Sequence, residues 1–178
     1  MSTRDIVYVA LFAALTAALG LFPPLMLPVI GVPVTAQTMG VMLAGALAGS
    51  RRGGLALLLF VVLVAIGLPL LAGGRGGLGV FLGPSGGFVL AFPIAAFATG
   101  WLIERRPGMP GLPVIIGSMA AGGIGVIYLV GIPWLAIAGG LPLATAATGV
   151  IGFVPGDVAK VVLAALITQG VRRAYPAP

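Results

Sequence analysis

Six apolar segments succeed one another along this chain, at about 5–22, 33–50, 54–72, 86–104, 112–132 and 154–171. Stretches rich in proline and glycine separate them, among them Phe22–Pro23–Pro24 and Gly73–Gly74–Arg75–Gly76–Gly77. A helix needs about 20 apolar residues to cross a lipid bilayer. Only 7% of the 178 residues are charged and 60% are hydrophobic, where an average soluble domain is about 25% charged. Such a chain cannot cover itself with a water-facing surface. The expectation is an all-α integral membrane protein of six transmembrane helices, a single domain over residues 1–178.

The cations orient the bundle. Arg4, Arg51–Arg52, Arg105–Arg106 and Arg172–Arg173 fall at the N-terminus and after the second, fourth and sixth segments, all on one side. Arg75 alone lies in a loop on the other side, and Lys160 lies within a segment. By the positive-inside rule both termini are cytoplasmic, as in a multi-pass protein of a bacterial inner membrane. The same alternation argues against nucleic acid as a partner, despite a net charge of +6. Tyr128 and Trp134 fall at the outer end of the fifth segment and Trp101 beside the cytoplasmic arginines, the places of interfacial aromatic belts. Asp5 beside Arg4 and the five later segments favour a retained first helix over a signal peptide.

Composition also excludes chemistry. There is no cysteine and no histidine, so thiol reactions and the usual zinc, iron and copper ligands are missing. The acids are Asp5, Glu104 and Asp157 only, too few for a carboxylate-rich cation site, and no cofactor is expected. No G-x-x-x-x-G-K-[ST] motif occurs, so the chain does not hydrolyse nucleotide. An intramembrane enzyme would have few groups with which to act.

The polar residues that remain are candidates for a site. Asp157 and Lys160 sit three residues apart inside the sixth segment and share one face of a helix. Ionisable residues at such depth are costly and mark functional sites by default. Pro155 suits the first turn of a helix, so the span is expected to begin near Val154, with Asp157 favoured by the helix dipole. At 1.5 Å per residue Asp157 lies roughly 22 Å above Arg172, in the outer third of a core about 30 Å thick. One acceptor beside one donor suits a neutral cyclic urea or amide; the alternative is an ion pair that pins the sixth helix to its neighbours. Thr35, Gln37 and Thr38 open the second segment at a similar depth. Arg75 offers a charge to an anionic group on a ligand, or is simply solvated. The glycine-rich stretch that holds it, with Gly83–Pro84–Ser85–Gly86–Gly87–Phe88 beyond, has the backbone freedom of a lid over a pocket.

Small residues form stripes that let helices approach closely. Gly117, Ala121 and Gly125 form one on the fifth segment. Ala10, Ala14 and Ala18 form another on the first, with Ala13 and Ala17 beside it. These serve packing within the bundle or the docking of a separate membrane subunit.

Four motifs in order, Pro33-Val-Thr-Ala-Gln-Thr-Met-Gly40, Gly67-Leu-Pro69 to Gly77, Gly83-Pro84-Ser-Gly-Gly87 and Pro155-Gly-Asp157-x-x-Lys160, resemble the BioY family. Its members are biotin-binding S components of energy-coupling-factor (ECF) vitamin transporters. The resemblance implies a six-helix subunit that captures biotin from outside, within membrane lipid. A coupling membrane subunit and cytoplasmic ABC-type ATPases would supply the energy, and the alanine stripe on the first helix would dock the coupling subunit. It assigns Asp157 and Lys160 to the ureido ring, and apolar and aromatic side chains to the thiophane and valeryl chain. Biotin's carboxylate needs a donor, for which Arg75 is the candidate, although its loop, with Pro69-Leu70-Leu71, departs from the family's commoner Pro-Val-Phe pattern. An S component for another vitamin, or a stand-alone proton-coupled carrier using Asp157, are the alternative readings.

Overall fold

The computed structural model describes residues 1–26, 32–106, 108 and 110–175. Helix α1 (Thr3–Leu19) opens on a capping box: the Ser2 hydroxyl accepts from the Asp5 amide, and the Asp5 carboxylate accepts from the Ser2 amide. A two-residue antiparallel ribbon comes next, β1 (Leu25–Met26) paired with β2 (Pro33–Val34). Helices α2 (Gln37–Ala48) and α3 (Ser50–Ala65) succeed it. After them are the short α4 (Gly79–Leu82) and α5 (Gly86–Leu90), then α6 (Phe92–Glu104).

The last two helical runs are continuous and long. The first joins α7 (Leu112–Ser118), a π-helical segment (Met119–Gly125) and α8 (Val126–Gly139). The second joins α9 (Leu143–Val150), a 3-10 turn (Ile151–Phe153) and α10 (Val154–Ala174). At 28 and 32 residues, both are long and apolar enough to cross a membrane. Helix α6 packs against α2 and α3 at the centre, with α1 on α2 and α3, α8 on α5, and α10 on α2 and α7.

Several expected boundaries shift, each for a local reason. Residues 33–36 are not helical: Pro33 and Val34 pair with β1 instead, and the helix starts at Gln37. The third segment is helical from Ser50, not residue 54, and stops at Ala65, just before Gly67 takes a φ of 109°. The fourth is interrupted at Ala91, the residue between α5 and α6. The fifth runs past residue 132 and through Pro133 to Gly140, whose left-handed backbone ends it. Finally, α10 does begin at Val154 with Asp157 in its first turn. Helix nevertheless precedes it without a break, so Asp157 does not sit at the open end of the run, as expected, but within it.

The corner between α2 and α3 shows how the bundle is tied at its arginine-bearing end. Gly49 turns the chain with a φ of 86°, a conformation that glycine adopts without steric cost. The first amides of α3 then have no partners of their own. Glu104, at the end of α6, supplies one: its carboxylate accepts from the Ser50 amide at 2.7 Å and the Ser50 hydroxyl at 2.6 Å. Arg172 of α10 donates to the Ala46 carbonyl near the end of α2 at 2.7 Å. Four helices therefore meet at one corner through an N-terminal cap and a C-terminal cap, both provided by other helices. Glu104→Ala is expected to cost about 1–2 kcal/mol, the worth of a helix cap, read as a lower unfolding midpoint in detergent. An unchanged midpoint would show that water replaces the cap at no cost.

Candidate functional site

The site grows from α10, whose first turns carry Asp157 and Lys160 on one face. Their side chains meet at 2.7 Å, Lys160 Nζ to Asp157 Oδ1, with both groups largely buried. The other carboxylate oxygen, Oδ2, accepts from the Tyr128 hydroxyl of α8 at 2.5 Å. Lys160 Nζ also donates to the Thr35 carbonyl at 2.8 Å and the Thr38 hydroxyl at 2.9 Å. An ammonium has three protons, and in Lys160 all three are engaged. Asp157 is not saturated: of about four lone-pair positions on a carboxylate, two are taken.

This arrangement lines a cavity shared by Val32, Pro33, Val34, Thr35, Gln37, Thr38, Leu71 and Arg75, with Ser85, Phe88, Val89, Phe92, Ile127, Tyr128, Phe153, Asp157 and Lys160. Its walls are mostly apolar, and Phe88 meets Phe153 edge to face with centroids 6.3 Å apart. The Phe88 ring lies directly over Gly131 of α8, where a Cβ would come within 2.5 Å of the ring. Glycine at 131 is therefore what seats that wall.

Arg75 enters the same cavity from the loop between α3 and α4. Its Nε donates to the Ala72 carbonyl and one Nη to the Ser85 hydroxyl, each at 3.3 Å. Burial pushes its guanidinium below the ordinary value, and among the described residues no carboxylate pairs with it. Asp5 pairs with Arg52, Asp157 with Lys160, and Glu104 holds Ser50. One acid and two bases line the cavity, leaving one positive charge unbalanced. A low-dielectric pocket with a spare, bidentate-capable guanidinium favours a monoanion.

Of the residues singled out from the sequence, Asp157, Lys160, Thr35, Arg75, Gln37 and Phe88 come together around this cavity. Gly83 and Pro84 do not line it; the Gly83 carbonyl instead accepts from the Trp134 indole at 3.1 Å. Gln37 is a staple. Its amide nitrogen donates to the Thr16 and Leu70 carbonyls, and its oxygen accepts from the Ala72 amide. That ties the glycine-rich loop to α1 and α2, so the loop is pinned where the sequence suggests a free lid. Thr35 acts through its backbone carbonyl, which no side-chain motif encodes. Tyr128, expected as a belt residue, turns its hydroxyl to Asp157, and Trp134 gives its indole N–H to the Gly83 carbonyl.

The alanine stripes separate cleanly. Ala10, Ala14 and Ala18 are exposed along one side of α1. Ala13 is buried in the core and Ala17 is half-buried, so Ala13 is closed to a docking partner.

A small helical membrane protein enclosing an apolar cavity, with an ion pair at one place and a lone guanidinium at another, belongs to the class of membrane solute-binding proteins. The sequence matches the BioY family over residues 1–177, and the chain belongs to that family. It is 50% identical to a biotin transporter BioY of Rhizobium etli, covering 99% of this chain and 97% of the relative. With a biotin transporter BioY of Rhodobacter capsulatus the identity is 47%, over 97% and 95%. A solved structure, the S-component for biotin from an ECF-type ABC transporter, superposes with a TM-score of 0.92 at 31% identity, covering 97% of this chain and 95% of that one.

A buried charge left without its partner is expensive, whereas replacing both partners is often tolerated. Lys160→Met is expected to destabilise the protein by about 3–5 kcal/mol. Adding Asp157→Asn should recover part of that loss in thermal unfolding. A double variant less stable than Lys160→Met would contradict the pairing.

Proposed function

We propose that this protein captures biotin from the outer face of the membrane as the substrate-binding S component of an ECF-type transporter. One observation carries the reading: a buried carboxylate–ammonium pair and a guanidinium with no carboxylate partner line one apolar cavity among the described residues. Biotin presents the matching groups, a neutral cyclic urea at one end and a carboxylate at the other.

Asp157 accepts a ureido N–H with the lone pairs that Tyr128 and Lys160 leave free. Lys160 donates to the ureido carbonyl, which takes the place of the Thr35 carbonyl or the Thr38 hydroxyl. That exchange costs little, because one neutral acceptor replaces another. Phe88, Phe92 and Phe153 enclose the thiophane ring and the valeryl chain, and burial of that apolar surface supplies most of the affinity. Arg75 receives the carboxylate, and its burial strengthens the attraction.

The chain crosses the cytoplasmic membrane of a bacterium six times, with both termini inside. Two spans are the long runs that include α8 and α10; the others are α1, α2, α3 and the α5–α6 stretch. The exposed alanines 10, 14 and 18 form a smooth face on α1 for the coupling subunit, and ATP is hydrolysed by partner ATPases. Lipid covers the remaining apolar exterior, such as Leu129, Ile137, Leu163 and Leu166.

Calorimetric titration of the purified protein tests the reading. Biotin is expected to bind one to one, and Asp157→Asn and Lys160→Ala each to lose at least tenfold in affinity, about 1.4 kcal/mol. Arg75→Ala should weaken biotin more than biotin amide, which carries no charge to lose. Heat with thiamine or riboflavin and none with biotin would overturn the assignment.

A further inference from the structure

Tyr128 has no part in the four motifs, yet its hydroxyl makes one of the shortest polar contacts in the cavity, 2.5 Å to Asp157 Oδ2. An O–H donated to a carboxylate at that length is charge-assisted and strong. It comes from α8, whereas the other donor to Asp157 is Lys160 on its own helix. Each carboxylate oxygen thus holds one fixed donor, and the group is clamped from two directions.

The register of α8 is what aims this tyrosine. The π-helical segment Met119–Gly125 lies immediately before α8. Each residue turns a helix by about 100°, so a π segment, which packs an extra residue into its turn, rotates the residues beyond it. Such segments recur at functional sites. Beyond this one Ile127 and Gly131 face the core, while Leu129 is 75% exposed. In an uninterrupted α-helix without that extra residue in the turn, Ile127 would occupy the angular position that Tyr128 takes here.

We infer that Tyr128 is a positioning residue for ligand selection, acting through Asp157 and not by direct contact with the ligand. Its hydroxyl fixes the carboxylate and holds one donor on Oδ2. The lone pairs left to a ligand are then acceptors in a set direction, which selects an edge of N–H donors. This rests on the biotin reading above for the identity of the ligand, but the hydrogen bond itself can be tested without any ligand.

The chain has two aspartates, Asp5 and Asp157, so protein labelled with [γ-13C]aspartate gives two side-chain carboxyl resonances. Asp157→Asn removes one and thereby assigns it. Tyr128→Phe, which keeps the ring, is expected to shift the Asp157 resonance and leave Asp5 in place. It should weaken biotin about tenfold in the wild-type background and less than twofold in the Asp157→Asn background. Equal losses in both backgrounds, or an unmoved Asp157 resonance, would overturn the inference. If Tyr128→Phe does not fold, 3-fluorotyrosine incorporation keeps the hydroxyl and makes it a stronger donor. The Asp157 resonance must then move, and its failure to do so counts equally against the inference. Wild-type protein that ignores biotin while Asp157 responds to Tyr128 would sink the substrate assignment alone.

Discussion

Everything in this protein's site depends on an ion pair held away from water. Asp157 and Lys160 are too costly to bury alone, and the structure offsets that cost by satisfying each group with further hydrogen bonds. Lys160 reaches across to Thr35 before α2 and Thr38 in its first turn, and Tyr128 reaches in from α8. Three parts of the bundle are thereby held in register by two charges. The same groups that stabilise the pair also set what it offers: a saturated ammonium that yields to a substitute oxygen, and a carboxylate with unfilled acceptor positions.

The scaffold serves that pair by fixing distances at both ends of the bundle. At the arginine-bearing end, Glu104 and Arg172 cap helices that are not their own. At the opposite end, Gln37 binds α1, α2 and the glycine-rich loop together, and that loop carries Arg75. The guanidinium is therefore held in the cavity it shares with the ion pair, through the Gln37 staple and its own bonds to the Ala72 carbonyl and the Ser85 hydroxyl, not left to search. A cavity whose charges are preset loses less entropy when a ligand arrives.

Much of this is legible in the sequence because its rarest residues are its most informative. With three acids and a single lysine, a charge inside an apolar run cannot be background, and Asp157 and Lys160 stand out at once. Arginine alternation suggests an orientation for the same reason. The hidden part depends on atoms that have no sequence signature. Thr35 contributes a backbone carbonyl. Gln37 resembles a ligand contact because an amide in an apolar setting needs partners, and it finds them in the protein. Tyr128 matches an interfacial belt by its place in the chain; only the π segment turns it inward. The helix from Leu143 lies outside the six apolar segments, in the stretch between residues 132 and 154, yet it runs on into α10 without a break.

Because Lys160 is the chain's one lysine, protein grown with [ε-13C]lysine gives a single side-chain resonance from the centre of the site. Titration with biotin should move that resonance and saturate at one equivalent, as the ureido oxygen replaces an internal acceptor. Biotin binding that leaves the resonance where it was would show that the ligand lies elsewhere, and that the buried pair is only a structural tie.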